Sequence, residues 1–254
     1  MSVEVHILAS GSDGNCTVVK YEDHALMVDA GLSFKRIKYL MDLNGLDDSC
    51  IDGLLITHEH GDHTKGAGAT ARKLGIPIIC NRRTFGELTV GKVDYEQISM
   101  GVQFSKAGMD VLSLPTSHNA VEPCSYLFMA GDKKILIATD TGKITFPVEH
   151  ALGEADIAVI ESNYDKRMLD TGPYPYPLKK LIDSDEGHLC NTVTGMAIKR
   201  TKDINPGRQL FLAHLSKTNN MPDIARETVS EISGIRRMKL DCLEFPEDTR
   251  VLRT

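Results

Sequence analysis

Eight residues decide most of what this chain can be: Thr57-His58-Glu59-His60-Gly61-Asp62-His63-Thr64 follows directly on the apolar run Gly53-Leu54-Leu55-Ile56. The apolar run reads as a buried strand and the histidine segment as a loop that opens a helix, so the polar groups gather at one sheet edge. Crowding imidazole and carboxylate groups into a tight turn is costly unless a cation neutralises them. In extended backbone, residues two apart project to the same side, so His58 and His60 can share one ion. Asp62 and His63 begin the next helix and face a second position beside the first. The pattern predicts two divalent ions, one ligated by nitrogen and one by nitrogen and oxygen. A solvated polar loop is the plain alternative, and the H-x-H-x-D-H spacing argues against it.

Three further residues stand just after apolar runs in the same manner. His118 follows Val111-Leu112-Ser113-Leu114 and completes a three-histidine set. Asp140 follows Ile135-Leu136-Ile137-Ala138, where a carboxylate can bridge both ions. His214 follows Leu210-Phe211-Leu212 and suits the second ion. Alone, each is more often structural; beside the first motif, each is expected to be a ligand. With no thiolate in the set, zinc, manganese and iron all remain acceptable. The Gly-rich segment Ser10-Gly11-Ser12-Asp13-Gly14-Asn15 can present backbone N–H groups to a phosphate, or form a plain β-turn. His6, His24 and His150 have no motif around them and are expected to be structural.

Strands are expected at Val3–Ala9, Thr17–Tyr21, Ala25–Val28, Ile51–Thr57, Ile76–Cys80, Asp110–Leu114, Ser125–Ala130, Lys134–Ala138, Ile157–Ile160 and Gln209–Leu212. Helices are expected at Phe34–Leu43, Thr64–Leu74, Pro177–Ile182, Asn191–Thr201 and Pro222–Ile232; the first is helically spaced behind Ser33, a good N-cap. Strand pairs crowd into both halves, and each half also supplies helices. That pattern suits an α/β fold of two sheets packed face to face with helices outside, formed by residues 1–254 as one domain.

The chain's 41% hydrophobic and 25% charged content is ordinary for a soluble globular protein. No apolar stretch approaches the roughly 20 residues needed to cross a bilayer, and the start MSVEVHILASGS shows no secretory pattern. A cytoplasmic protein without membrane contact is expected. The six cysteines form no C-x-x-C pair and are expected to be unpaired, mostly as small core residues. A net charge of −6 argues against a surface that coats nucleic acid broadly. A local basic track remains open through pairs such as Lys166-Arg167 and Lys179-Lys180.

The order H-x-H-x-D-H, then His, Asp and His resembles the metallo-β-lactamase superfamily from end to end, which implies the four-layer αββα sandwich. A narrower resemblance, to the YycJ/WalJ-like branch of DNA exonucleases, is carried by LASGSDGNCT at 8–17, MVDAGLS at 27–33, ESNYD at 161–165, GPYPYPLK at 172–179, GHLCN at 187–191 and HLSKTNNMP at 214–222. Cys190 stands where members commonly carry serine, and Leu181-Ile182 where a more basic pair is common.

The resemblance implies a metal-dependent phosphodiesterase, a DNA nuclease of the 5′-3′ exonuclease kind, in which a hydroxide bridging two metals attacks phosphorus. It gives His188, in GHLCN, a catalytic role as phosphate contact and proton donor to the leaving group. It makes Asp62 a catalytic ligand and Asp29 an outer-shell residue that orients the metal loop. Ser10, Asn15 and Asn163 become expected phosphate or substrate contacts, and DNA the expected partner. A small-molecule cyclic phosphodiesterase, a thioesterase or a lactonase on the same fold is the alternative, since fold does not choose among them. A scaffold protein with a vestigial site is disfavoured by the complete ligand set.

Overall fold

The computed structural model describes residues 2–245 and 248–254. The first sheet contains β1 (Val3–Ala9), β2 (Cys16–Tyr21), β3 (His24–Val28), β4 (Ile51–Leu55), β5 (Ile78–Asn81) and β6 (Tyr95–Ile98). The second contains β7 (Gln103–Lys106), β8 (Met109–Pro115), β9 (Cys124–Ala130), β10 (Lys133–Ala138), β11 (Ile157–Glu161), β12 (Gln209–Ala213) and β13 (Leu240–Asp241). A last strand, β14 (Arg250–Arg253), returns to the first sheet, so the orders are β14-β1-β2-β3-β4-β5-β6 and β13-β12-β11-β10-β9-β8-β7. Each sheet is built on one plan. An antiparallel meander (β1 to β3, β7 to β10) leads into parallel strands, the connections between which include helices.

Strand alternation produces the layers. On β10, Ile135 and Ile137 face the core between the sheets while Leu136 and Ala138 face outward; on β11, Ile157 and Val159 face in and Ala158 and Ile160 out. Successive side chains point to opposite faces, so strands buried on both sides read as continuous apolar runs. Tyr126, Phe128 and Phe211 fill the middle between the sheets; truncating a buried Phe to Ala in such a core costs about 3–5 kcal/mol. The outer face of the first sheet is covered by α1 (Phe34–Leu43) and α3 (Ala67–Leu74), which follows the short α2 (Gly61–Thr64). After α4 (Arg82–Glu87), the outer face of the second sheet is covered by α5 (Phe146–Glu154), α8 (Asn191–Thr201) and α9 (Pro222–Ser233). Between α5 and α8 lie α6 (Lys166–Thr171) and α7 (Tyr176–Ile182). The result is the αββα sandwich expected from the sequence.

Several boundaries moved. The helix expected over Thr64–Leu74 is two, because Gly66 N–H leaves the helical ladder to donate to Ala30 O at 2.8 Å. The strand expected to run to Thr57 stops at Leu55: Thr57 N–H donates to the Asp29 carboxylate instead. The helices α4, α5 and α6 and the edge strands β6, β7, β13 and β14 were not apparent in the sequence. All six cysteines are unpaired and four are buried. No helix among the described residues is long and apolar enough to cross a membrane.

Candidate metal centre

The ligand candidates converge at the carboxyl ends of the strands, on the loops after β4, β8, β10 and β12. His58, His60 and His118 form one cluster, and Asp62, His63, Asp140 and His214 a second; within each, the donor atoms lie within 4.8 Å of one another, close enough to hold an ion. His118 Nε2 is 3.3 Å from His60 Nδ1. Asp140 stands between the clusters: Oδ1 is 3.8 Å from His118 Nε2 and 3.6 Å from His214 Nε2, while Oδ2 is 3.0 Å from His63 Nε2. Asp62 Oδ2 lies 3.4 Å from His214 Nε2 and 3.5 Å from His63 Nε2.

The surrounding chain fixes these rings. Asp29 accepts from Thr57 N–H at 2.9 Å and from Thr57 Oγ1 at 2.8 Å, and its Oδ2 lies 2.7 Å from His63 Nδ1. A carboxylate on the far nitrogen sets tautomer and ring orientation. Asn15 N–H donates to Asp62 O at 2.8 Å, and Gly31 N–H donates to Asn15 O. The approach is so close that a Cβ on Gly31 would lie 1.7 Å from Asp62 O. Asp29, Asp140 and His214 all have left-handed backbone, with φ of 60°, 53° and 55°. Such conformations persist in non-glycine residues only where the surroundings over-determine them, and they concentrate at functional sites. Each follows a strand end and turns its side chain into the centre.

Ser10, Asn15 and Asn163, expected from the sequence to meet a phosphate, direct their side chains at the ligands instead. Ser10 Oγ accepts His214 N–H at 2.7 Å. Asn15 Oδ1 accepts Gly11 N–H, and its Nδ2 is 3.0 Å from His63 Nε2. Asn163 Nδ2 donates to His214 O at 2.8 Å. The Gly-rich segment itself closes as a turn, Gly14 N–H to Gly11 O. Buried polar atoms need partners, and here the nearest ones belong to the ligand loops.

One residue escaped the sequence reading. Glu161, fully buried at the end of β11, places Oε1 2.7 Å from His188 Nδ1 and 3.1 Å from His214 Nδ1, while Oε2 accepts Thr141 N–H at 2.8 Å. It ties His188 to the second cluster. A lone glutamate at a strand end carries no local signature; only its place in the ESNYD block marked it.

Two observations show that the donor set fits metal ions. His58 Nε2 and Asp140 Oδ2 are buried without a hydrogen-bond partner, and an unmet buried donor or acceptor is expensive. Charge supports the same fit. Burial raises the Asp140 carboxyl, but His214 and His63 outweigh that and hold it well below the usual carboxylate range. Burial likewise opposes ionisation of Asp62, yet His214 and His63 keep it anionic. Burial drives His58 and His118 downward, toward the neutral rings that ligation requires. His63 and His214 lose charge to burial but regain more from Asp140 and its neighbours, His214 reaching about 10.

The centre opens into a cleft of about 280 Å³, lined on one side by ligands and His188 and on the other by Leu178, Leu181 and Ile182. A larger cavity of about 890 Å³ lies at the sandwich edge near β13 and β14, and no histidine lines it.

Fold and site together define a metallohydrolase of the αββα class. The chain matches the β-lactamase superfamily domain over residues 24–215 and belongs to that superfamily. It is 37% identical over 237 residues to exodeoxyribonuclease YycJ of Bacillus anthracis, covering 91% of this chain and 89% of that protein. It is 39% identical over 230 residues to exodeoxyribonuclease WalJ of Streptococcus pneumoniae, covering 88% and 85%. Among solved structures, the metallo-β-lactamase fold protein YhfI of Bacillus subtilis superposes with a TM-score of 0.73 at 16% identity, over 99% of this chain and 100% of that one. The Zn(2+)-bound PqqB of Methylobacterium extorquens superposes with 0.71 at 16% identity, over 98% and 99%. These two likenesses speak to the fold alone.

Proposed function

We propose that the chain is a metal-dependent phosphodiesterase acting on DNA as an exonuclease. His58, His60 and His118 hold one divalent ion, Asp62, His63 and His214 a second, and Asp140 both. The observation that carries this reading is the position of Asp140, with one oxygen toward each donor set. The names of the relatives from Bacillus anthracis and Streptococcus pneumoniae support DNA as substrate, and 5′-to-3′ polarity is the finer part of the proposal. Zinc, manganese and iron all suit the donors. Both sheets contribute ligands to one centre, which supports reading residues 1–254 as one domain.

When bound, two ions neutralise charge on phosphoryl oxygens and bring the pKa of water toward neutrality. The protein's own part is orientation and proton movement. Glu161 occupies His188 Nδ1, which leaves Nε2 for the cleft and for the leaving oxygen. Proton donation from a positioned ring contributes roughly a hundredfold or more. Asp29 holds His63, while Ser10, Asn15 and Asn163 hold the backbone and rings of the ligand loops.

The test is hydrolysis of bis(p-nitrophenyl) phosphate and of 5′-labelled DNA with manganese or zinc, beside Asp140→Ala. Wild-type cleavage of both, lost in the variant, supports the proposal, and the labelled products give the polarity. Cleavage of the small ester alone moves the assignment to a nucleotide-sized phosphodiester. With neither cleaved by metal-loaded protein, the reading fails and thioester or lactone hydrolysis comes forward.

A further inference from the structure

Helix α7 buries none of its residues, yet Tyr176, Leu178 and Leu181 on it are 70%, 39% and 42% exposed. A helix this short gains little from propensity, and apolar side chains gain nothing from standing in water. Its two faces lead to different places. Leu178, Leu181 and Ile182, at i, i+3 and i+4, line the metal cleft. Tyr176, Lys179, Lys180 and Asp183, also at helical spacing, line a second groove of about 290 Å³ together with Lys166 and Asp170. One turn of helix is therefore the ridge between the metal cleft and an aromatic, lysine-bearing groove.

The ridge is fixed relative to the chemistry. His188 N–H donates to Ile182 O at 2.9 Å, and Tyr164 Oη donates to Asp183 at 2.7 Å. Lys166 is engaged by Asp183 at 2.7 Å and Asp170 at 3.1 Å, and Lys179 donates to Asp170 O. Lys180 makes no ion pair among the described residues; its Nζ stands 5.5 Å from the Tyr176 ring centroid. A cation and an aromatic face side by side, unused by the fold, match the phosphate and base of an unpaired nucleotide.

We infer that α7 is a guide for single-stranded DNA. Leu178, Leu181 and Ile182 take the base of the nucleotide at the metal centre. Tyr176 and Lys180 take the base and phosphate that follow in the adjoining groove. This rests on the phosphodiesterase reading and narrows it: the substrate end enters unpaired, because a duplex keeps its bases stacked inside and offers the ridge only backbone.

The experiment is fluorescence anisotropy of a labelled oligothymidylate with hydrolysis-resistant phosphorothioate links, against the metal-loaded full chain. Tyr176→Ala is expected to weaken binding about tenfold and Tyr176→Phe to restore it. Lys180→Ala is expected to lower the slope of log affinity on log salt by about 0.7. The same label as a blunt duplex is expected to bind less tightly. Unchanged affinity and slope in both alanine variants overturn the inference, as does tighter binding of the duplex. A change of oligomeric state in these variants with unaltered DNA affinity also overturns it, giving the face to a second copy. Wild-type cleavage of DNA and of bis(p-nitrophenyl) phosphate is read separately, so loss of this inference is distinguishable from loss of the parent reading.

Discussion

His188 and His214 share a single acceptor: both Nδ1 atoms approach Glu161 Oε1, at 2.7 and 3.1 Å. One buried carboxylate thus orients a ring of the second cluster and the ring proposed as proton donor. Burial opposes its ionisation, but His188 and His214 hold it below the usual carboxylate range. Glu161→Gln replaces the anion by an amide whose N–H₂ repels one of the two donors. Turnover is expected to fall about 10- to 100-fold with reduced metal retention. Measuring kcat beside metal content per chain checks this, and a fully active, fully loaded variant would contradict it.

Gly187 sets how close His188 comes to α7. A Cβ there would lie 2.1 Å from Leu181 O and 2.3 Å from Ile182 O, and Gly187 O also accepts from His118 Nδ1 at 2.8 Å. Gly187→Ala must push the loop off the ridge, with an expected stability loss of about 1–3 kcal/mol. Activity is expected to drop further than stability does, because His118 and His188 both move. Urea unfolding alongside turnover separates the two effects.

Chelation is expected to lower the melting temperature as well as activity. An ion present at about a hundred times its dissociation constant adds about 2.7 kcal/mol to the folded state. Scanning calorimetry with and without EDTA, then with manganese or zinc restored, measures that increment. Asp140→Ala is expected to shrink it; an increment identical to wild type would remove Asp140 from the ligand set.

His6 gives the protein an acid-sensitive element away from the centre. Burial lowers its pKa below 6.5, partly countered by Glu4, whose carboxylate is 3.0 Å from Nε2. The folded state therefore binds fewer protons at this ring than the unfolded chain does. Its contribution is full above about pH 6.5 and declines as pH falls through the folded pKa. His6→Gln is expected to flatten the dependence of unfolding free energy on pH below about 6.5. Parallel slopes for variant and wild type would refute the assignment.

The sequence disclosed what local spacing can carry. His58, His60, Asp62 and His63 are neighbours in the chain, and apolar runs before His118, Asp140 and His214 announce strand ends. The helix Phe34–Leu43 was legible from its N-cap and periodicity. Glu161 was not, because its partners lie 27 and 53 residues away and nothing nearby differs from a solvated acid. The strand β14 was equally silent: Arg250-Val251-Leu252-Arg253 pairs with β1 across nearly the whole chain, and edge strands draw their identity from the partner. The helix α5 begins with Pro147 near its first turn, a start signal that went unread beside the short, weakly patterned run after it. The side-chain roles of Ser10, Asn15 and Asn163 depend on which way a loop folds, which composition does not encode.

The left-handed backbone at Asp29, Asp140 and His214 bears on how such a protein would drift in a laboratory lineage. Where φ is positive, glycine or asparagine relaxes the chain, so selection for heat resistance alone would favour losing these side chains. Screens that reward only yield or thermal tolerance would enrich inert, sturdier descendants. Chemistry has to be part of the selection for these three positions to stay as they are.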